Sequence, residues 1–411
     1  MKITHIHIER FRGFQNEDFE VGSLLTAIAG QNGTQKSTLL GIITQTFTLK
    51  TEDSMRVEKP LCGGSYISAF KDKFRLSPTF DKPKGHEWTI SFDAGMDDFT
   101  VESIKRTGDP NVRFWKKGAR QEGDGYISFP TIFLSLKRLV PVAEEAKIIT
   151  DDTLLTQEEL NEFKQLHNKI LIAQTPISSA TTITSKNKQS IGVSTELYDW
   201  NQNSMGQDNL GKIILALFSF KRLHDKYPRQ YKGGILAIDE MDATMYPASQ
   251  VELLKVLRKY ASKLNLQILF TTHSMSLLKA MDDLVQEVTK KEETANQAKI
   301  LYLKKVDDKI AIKQGVNFKG IQLDLNVVAE GNNRKKNRIT AYTEDKENIL
   351  FVKAILKSKA FVLDFVDVTL PCSTLMELVT KRVPAFIYPY SIVILDGDVS
   401  CLLYTSDAAD D

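Results

Sequence analysis

The strongest constraint on the fold is a short glycine-containing loop, residues 30–37, between an apolar stretch and a helical pattern. The apolar stretch covers residues 24–29, and the helical pattern runs from Ser37 to about Phe47. A strand, such a loop and a helix in this order form a phosphate-binding loop, in which backbone N–H groups and the helix dipole hold anionic oxygens. The sequence therefore predicts an α/β fold with ATP at the carboxyl edge of a parallel sheet.

Two side chains at the end of this loop are predicted to act on the nucleotide directly. Lys36 neutralises phosphate charge, and the Ser37 hydroxyl ligates Mg²⁺. Gln35 departs from the usual pattern, because a glycine is expected before the lysine. Its backbone amide is retained, so we expect ATP binding to persist and the hydrolysis rate to be affected. The predicted ATP contacts here are Gly30, Gln31, Asn32, Gly33, Thr34, Gln35, Lys36, Ser37 and Thr38.

Two carboxylates follow a second apolar strand, residues 235–238. Asp239 is predicted to hold Mg²⁺ through water, and Glu240 is predicted to polarise the attacking water. For this motif taken alone, the alternative is an ordinary buried strand that ends in a solvated acidic turn.

A histidine follows a third apolar strand, residues 266–270. At the end of that strand, His273 is predicted to contact the γ-phosphate by a hydrogen bond. A lone histidine without a function is the alternative. The order of the three motifs, each at a strand end, favours a nucleotide site over coincidence.

Further segments connect these motifs to a known group of proteins. Residues 6–14 resemble the opening strand and loop of the ABC-type ATPases of the RecF, structural-maintenance-of-chromosomes (SMC) and overcoming-lysogenization-defect (OLD) group. Residues 203–208 stand where that group has its signature motif, which in one subunit caps the ATP held by another. The resemblance thus implies a homodimer or higher homo-oligomer, with Ser204, Gly206 and Gln207 as further ATP contacts.

Three features qualify or extend this resemblance. Met205 replaces the small residue that is more usual in the signature motif, and a simple helix N-cap by Ser204 is an alternative reading. Residues 242–247 resemble the group's dimer-contacting loop. Residues 134–141 resemble the segment between the two lobes, where Arg138 either senses nucleotide or forms a surface salt bridge.

Acidic residues also end two strands of the C-terminal part. Glu344 follows one strand, and Asp396 and Asp398 follow the apolar run 392–395. Carboxylates so placed can converge on Mg²⁺, and paired metal ions suit phosphodiester chemistry. The arrangement is similar to a Toprim domain, and an ATPase followed by Toprim is the order found in OLD nucleases.

The Toprim resemblance implies that Glu344, Asp396 and Asp398 are Mg²⁺ ligands, with Lys346 and Glu347 in weaker roles. Asn348 stands where many members have a second acid, which leaves the number of metal ions open. Solvated strand ends without a function are the alternative.

Pattern and composition shifts predict the organisation of the chain. We expect an ATPase domain over residues 1–330, with an antiparallel lobe in residues 50–130 and an inserted helical arm in residues 143–200. A helix–strand alternation predicts a parallel sheet, with helices near 207–226, 247–263 and 274–282, strands at 234–238 and 266–270, and a hairpin at 297–313.

A basic linker, residues 332–338, marks the predicted boundary to a partial Toprim-like domain, residues 331–400. Residues 401–411 resemble a translated sequencing adapter, so we exclude them and expect an incomplete module. The predicted fold is therefore α/β: an ABC-type P-loop ATPase head with an antiparallel lobe and a helical insertion, followed by an incomplete α/β Toprim-like module.

Composition narrows the setting. The three cysteines show no metal-type spacing, and no run approaches roughly 20 apolar residues. Residues 2–8 alternate as in a strand, so we do not expect them to be a signal peptide. We therefore expect a cytoplasmic protein without a membrane partner. A net charge of +2 does not decide the question of nucleic acid, because DNA binding depends on a local patch.

The function implied is ATP binding and hydrolysis that drives or gates Mg²⁺-dependent DNA cleavage, as in OLD nucleases. The resemblance further suggests defence against phage, with a defence-system partner protein. The alternative is a RecF-like DNA-binding or signalling ATPase without nuclease activity. A transporter ATPase subunit is the weakest reading, because the opening residues resemble the DNA-handling branch.

Overall fold

The structure is a computed structural model, in which helices and strands are numbered along the chain. It describes residues 1–66, 70–93, 95–105, 112–118, 125–140, 147–151, 154–185, 189–329, 339–357, 360, 363–387 and 391–396. These residues fall into two compact units, Met1–Leu325 and Asn326–Asp411. The basic linker predicted at 332–338 lies outside the described residues.

The strands are Ile3–Phe11 (β1), Phe14–Glu20 (β2), Leu25–Gly30 (β3), Phe47–Thr48 (β4), Glu87–Phe92 (β5), Phe99–Lys105 (β6), Val112–Lys116 (β7), Ile127–Ser128 (β8), Thr131–Leu134 (β9), Ile149–Asp151 (β10), Ser179–Thr184 (β11), Gln189–Ser194 (β12), Gly234–Ile238 (β13), Leu266–Thr271 (β14), Ala298–Val306 (β15), Lys309–Lys313 (β16), Ile339–Thr343 (β17), Leu363–Phe365 (β18) and Ser391–Ile394 (β19). The helices are Lys36–Thr44 (α1), Phe70–Lys73 (α2), Gln157–Leu171 (α3), Met205–Lys226 (α4), Pro247–Lys263 (α5), Met275–Thr289 (α6), Phe318–Ala329 (α7), Lys346–Leu356 (α8) and Cys372–Thr380 (α9).

The first unit is built on a six-stranded sheet with the order β16-β15-β3-β14-β13-β9. Its neighbours are parallel except for the β15–β16 hairpin. Strands β3, β13 and β14 are buried along their whole length, which suits a sheet covered on both faces. The predicted α/β class is confirmed.

This sheet separates two hydrophobic layers. Successive residues of β13 face opposite sides, so Leu236 and Ile238 pack in the core with α4, α5 and α6. Ile235 and Ala237 pack in a second core with α1 and the N-terminal strands. The layers fix the sheet edge from which the loops after β3, β13 and β14 project.

The N-terminal lobe is a five-stranded antiparallel sheet with the order β2-β1-β5-β6-β7. Alternate residues of β5, which are Trp88, Ile90 and Phe92, are buried, as expected for a strand with one covered face. The antiparallel lobe predicted in residues 50–130 is therefore present, and the first two strands of the chain complete it.

The inserted arm differs from its prediction as a helical segment. The described residues between 147 and 202 contain one long helix, α3, and a three-stranded antiparallel sheet of β10, β11 and β12. The Ser/Thr-rich residues form the β11–β12 hairpin, in which Ile183, Ile191 and Val193 are buried. The polar composition of this segment did not indicate its strands. Threonine is β-branched and favours strands, and a strand needs apolar residues on only one of its two faces.

The second unit contains a parallel sheet with the order β18-β17-β19. Helix α8 connects β17 to β18, and α9 lies between β18 and β19. Among the helices that the structure describes in either unit, none combines the length and apolar character needed to cross a lipid bilayer.

Candidate nucleotide-binding site

The loop between β3 and α1 has the backbone shape that a phosphate cradle requires. Gly30 and Gly33 have φ values of 150° and 80°, and Gln35 has a φ of 61°. A Cβ on Gly30 would lie 2.4 Å from the carbonyl oxygen of Leu303, so only glycine fits that position. The Thr34 hydroxyl donates to the Gln31 carbonyl at 2.8 Å and closes the loop.

Lys36 begins α1 and turns its ammonium back over the loop. Its Nζ donates to the carbonyl oxygens of Gly30 at 3.0 Å and of Gln31 at 2.8 Å. Burial lowers the pKa of Lys36 to about 8, although nearby carboxylates, led by Glu240, act in the opposite direction. Both partners are neutral carbonyls, and a phosphate group at this loop would give the ammonium a negatively charged partner.

Asp239 links the phosphate loop to the end of the neighbouring strands. Its Oδ1 accepts from the Ser37 hydroxyl at 2.8 Å and from the Thr271 hydroxyl at 2.7 Å. Strand β14, which carries Thr271, lies between β3 and β13 in the sheet. The structure thus brings Ser37 and Asp239 together, as the sequence predicts for two Mg²⁺ ligands.

Glu240 leaves the end of β13 in a left-handed conformation with a φ of 48°. Its N–H donates to the Thr271 hydroxyl at 2.6 Å. Thr271 therefore holds both strand-end acids, Asp239 through its carboxylate and Glu240 through its backbone. The exposed His273 follows on the same edge, and its N–H donates to Asp242 Oδ1 at 3.4 Å.

The environment of His273 favours a neutral ring. Loss of hydration lowers the pKa of His273, and the positive charge of Lys36 acts in the same direction. A neutral imidazole offers one donor and one acceptor nitrogen, which is compatible with the hydrogen bond expected from this residue.

The signature segment begins α4 and packs on the loop after Glu240. Ser204 is the N-cap, and its hydroxyl accepts from the N–H of Gln207 at 3.3 Å in a capping box. A Cβ on Gly206 would lie 2.6 Å from the Thr244 carbonyl oxygen, so the helix start and this loop are in close contact. Tyr198 fixes Gln207 by accepting from its side-chain amide at 2.7 Å.

Arg138 corrects one of the sequence-based alternatives. Its side chain is 1% exposed, so it forms no surface salt bridge. The guanidinium donates to the carbonyl oxygen of Glu240 at 2.8 Å and to Asn209 Oδ1 at 2.7 Å. It therefore lies behind the strand-end acids, between them and the signature helix.

In the second unit, Glu344 and Asp396 follow neighbouring parallel strands. Thr343, the last residue of β17, pairs with Ile394, the last residue of β19. Both acids therefore emerge at the same edge of the sheet. Asp398 lies outside the described residues, and among the residues that are described no three His, Cys, Asp or Glu side chains group as a metal site.

The weaker Toprim-like residues lie on the first turn of α8. Lys346 pairs with Asp367 at 3.2 Å, and both side chains are largely exposed. Asp345 caps the helix by accepting from the N–H of Asn348 at 2.9 Å. The acidic segment thus acts partly as a helix start.

Three residues at the nucleotide site have no role in the sequence-based prediction: Thr271, Asn209 and Tyr198. Thr271 stands two residues before His273, and its position at the end of an apolar strand was a sequence signal that it lies at the site. Asn209 and Tyr198 act through contacts that the sequence does not reveal, because their partners lie on other elements.

Comparisons with known proteins address the fold and the family. No curated protein matches the sequence. The chain is similar to a solved SMC head domain from Thermotoga maritima at 14% identity and a TM-score of 0.42, covering 77% of this chain and 100% of that one. An SMC head bound to the C-winged helix domain of ScpA shows 13% identity and a TM-score of 0.45, with 78% and 100% coverage.

A third similar structure, an SMC head with an extended coiled coil bound to the C-terminal domain of ScpA derived from Pyrococcus furiosus, shows 13% identity and a TM-score of 0.42, with 80% and 99% coverage. The family described as the AAA ATPase domain matches residues 1–189 and 135–278. These residues include the phosphate loop, both strand-end acids and His273, and they make up more than half of the 411 residues. The chain therefore belongs to the AAA ATPase domain family and is an ATPase of that type.

Proposed function

We propose that this protein binds and hydrolyses ATP with Mg²⁺ at the carboxyl edge of the six-stranded sheet, and that the nucleotide drives or gates DNA cleavage. The observation that carries the ATP site is the 2.8 Å hydrogen bond between Ser37 Oγ and Asp239 Oδ1. These two oxygens come from positions far apart in the chain and meet beside the Lys36 ammonium.

The residues at this edge fit a Mg²⁺ ion. Ser37 and Asp239 offer hydroxyl and carboxylate oxygens, which are the donors that Mg²⁺ prefers. When bound, Mg²⁺ neutralises phosphate charge. The Lys36 ammonium would donate to phosphate oxygens, either in place of its two backbone carbonyl partners or in addition to them. The N–H groups of the loop would donate to the remaining phosphate oxygens.

Glu240 is proposed to orient and polarise the attacking water, with His273 as a hydrogen-bonding partner of the γ-phosphate. The Glu240 backbone is fixed at its N–H by Thr271 and at its carbonyl by Arg138. Such fixation limits the positions that its carboxylate can adopt, which is the condition for efficient proton transfer.

A second copy of the chain is proposed to complete the site through Ser204, Gly206 and Gln207. The signature segment and the loop after Glu240 are packed together, and each exposes an apolar side chain: Met205 is 42% exposed and Tyr246 is 50% exposed. Exposed apolar groups beside a polar site are typical of an interface.

DNA cleavage is proposed for the second unit. Glu344 and Asp396 follow β17 and β19 at one sheet edge, which supports a shared Mg²⁺ site for these two acids. Asp398 is proposed as a third ligand from the Toprim resemblance. In keeping with the OLD resemblance, we propose that this activity serves phage defence together with a partner protein.

The experiment compares supercoiled plasmid cleavage by the wild type and two variants, with ATP and Mg²⁺ present. Asp396→Ala is expected to abolish cleavage while leaving ATP hydrolysis unchanged, and Lys36→Ala is expected to remove the nucleotide dependence. Asp364→Ala, which removes an exposed carboxylate within β18, is the matched control and should cleave normally. Equal cleavage by the wild type and Asp396→Ala would overturn the nuclease assignment.

The second candidate function is a DNA-binding or signalling ATPase without nuclease activity. Asn348 in place of a second acid favours it. In that case Lys36→Ala abolishes ATP-dependent retention of labelled DNA, whereas Asp396→Ala changes neither retention nor plasmid integrity.

A further inference from the structure

We propose that Arg138 is a positioning residue that joins the strand-end acid Glu240 to the start of the signature helix α4. This inference rests on the proposed ATP site and goes beyond it, because it assigns the coupling between the hydrolytic half of the site and the half that faces a second copy. Arg138 itself is proposed to act through Glu240 and Asn209, without touching the nucleotide.

The guanidinium occupies the junction of three segments. It donates from Nε to Asn209 Oδ1 at 2.7 Å and from one terminal nitrogen to the Glu240 carbonyl at 2.8 Å. The other terminal nitrogen donates to the carbonyls of Leu134 at 3.2 Å and Ser135 at 3.1 Å. A planar group with donors in a fixed fork thus ties β9, β13 and α4 together.

Asn209 continues the connection on the side of α4. Its side chain is fully buried, and its amide donates to the carbonyl of Ala243 at 2.9 Å. One residue further, the Thr244 carbonyl lies against Gly206 of the signature segment. Arg138 and Asn209 therefore hold the segment from Glu240 to Thr244 at both of its ends.

The charge of Arg138 also belongs to this arrangement. Burial lowers the pKa of Arg138 to about 10, and three carboxylates, those of Asp239, Glu240 and Asp242, act in the opposite direction. The hydrogen bonds of its guanidinium go to carbonyl and amide oxygens. Its geometry, more than its charge, accounts for the way in which it connects the segments.

Loss of this connection should affect turnover more than substrate binding. Glu240 sits in a left-handed conformation, with a φ of 48°, that its hydrogen bonds maintain. Without the Arg138 contact the segment can relax, so the Glu240 carboxylate loses its fixed position, while the phosphate loop around Lys36 keeps its own contacts.

The kinetic test uses Arg138→Met, Arg138→Lys and a matched control, Arg222→Met. Arg222 lies on α4, far from the signature end of that helix, and donates to both Glu159 carboxylate oxygens and to the Leu154 carbonyl. Arg138→Met should lower kcat by about tenfold or more with KM for ATP changed less than about threefold. Arg138→Lys should be equally defective, because a single ammonium cannot span the three segments. Arg222→Met should keep the wild-type kcat.

A double-mutant cycle with Asn209→Ala identifies the partner. If Arg138 acts through Asn209, the double variant is no slower than the worse single variant. If the loss of kcat in the double variant equals the product of the two single losses, the two residues have independent roles and the proposal is contradicted. Full recovery of kcat by Arg138→Lys would contradict it as well.

Hydrogen exchange provides a readout that does not depend on activity. In nucleotide-free Arg138→Met, amides of residues 241–245 and of residues 205–209 should both exchange faster, and neither segment should change in Arg222→Met. Unchanged exchange in either segment would overturn the proposal. A wild-type protein that hydrolyses no ATP would instead contradict the proposed function, and the exchange result would still decide the role of Arg138.

Discussion

Gln35 shows at the scale of one residue how a departure from the usual pattern is accommodated. It caps α1 with a φ of 61° and a ψ of 33°, a conformation in which a side chain is disfavoured. Its Nε2 lies 3.0 Å from where a Cβ of Gly13 would be, so the glutamine packs on the turn between β1 and β2. Its Oε1 is buried and has no hydrogen-bond partner among the described residues.

Gln35→Gly should therefore stabilise the protein. Relief of the left-handed conformation and of the unpaired oxygen outweighs the greater freedom of glycine in the unfolded chain, giving a gain of about 0.5–1 kcal/mol. The free energy of unfolding from urea denaturation tests this. Gln31→Gly, in the same loop but without a positive φ, is the control and should be destabilising. A loss of stability in Gln35→Gly would contradict the description of this position.

Lys36 makes ATP affinity dependent on pH. Burial lowers its pKa to about 8 in the nucleotide-free protein, so the ammonium is lost as the pH rises through that value. In the proposed site ATP binds the charged form of Lys36, so above this pH binding should include uptake of a proton. Affinity should fall on the order of tenfold between about pH 7.5 and about pH 9. Calorimetric titration with ATP at the two pH values measures this change in affinity.

The control for this pH effect is Lys36→Arg. An arginine keeps its charge over this range, so any binding that the variant retains should vary little with pH. A wild-type affinity that is equal at the two pH values would show that the charge of Lys36 does not control binding.

At the scale of elements, the start of α4 depends on its contact with the loop after Glu240. A methyl group on Gly206 would lie 2.6 Å from the Thr244 carbonyl, which belongs to a backbone that cannot move freely. Gly206→Ala should therefore lower the free energy of unfolding by about 1–3 kcal/mol. Gly320 lies on α7, and a methyl there would meet only side-chain atoms, of Val316 at 3.2 Å and Asn317 at 3.4 Å, so Gly320→Ala should be neutral or stabilised. Equal stability of the two variants would argue against the contact.

The elements that the sequence predicted best are those with continuous apolar runs. Strands β3, β13 and β14 and the helices between them follow from pattern alone, because burial on both faces leaves few alternatives. The insertion in residues 143–200 was expected to be a helical arm, and the β11–β12 pair within it was not foreseen, because strand pairing depends on tertiary contacts. Helix α6 extends to Thr289, beyond the predicted end near residue 282.

The candidate site was predictable in part. Lys36, Ser37, Asp239 and Glu240 could be placed because each follows a strand end, and parallel strands bring their ends together. Arg138 was noticed from its segment, but its contacts and those of Asn209 were not predictable. Arg138 donates to the Asn209 side chain, and their other donors reach mainly backbone carbonyls of distant segments, which leave no mark in the sequence. Thr271 was visible only as a neighbour of His273, because its partners, the Asp239 carboxylate and the Glu240 N–H, follow a different strand.

At the scale of the whole molecule, the proposed ATP sandwich predicts nucleotide-dependent self-association. Glu240→Gln should bind ATP without turning it over and accumulate as a dimer in analytical ultracentrifugation. Adding Met205→Lys should prevent the dimer, because a charge would be placed in the interface. Met96 is also 42% exposed and lies in the N-terminal part outside the signature segment, so Met96→Lys is the matched control. A monomer in Glu240→Gln with ATP present would refute the sandwich.

The central claim is that Lys36, Ser37 and Asp239 form one site for ATP and Mg²⁺, and the most direct test is steady-state phosphate release with and without Mg²⁺. The wild type should release phosphate only with Mg²⁺ present, and Lys36→Ala and Asp239→Asn should each reduce the rate by about a hundredfold or more. Wild-type rates in both variants, or a rate that is indifferent to Mg²⁺, would contradict the account.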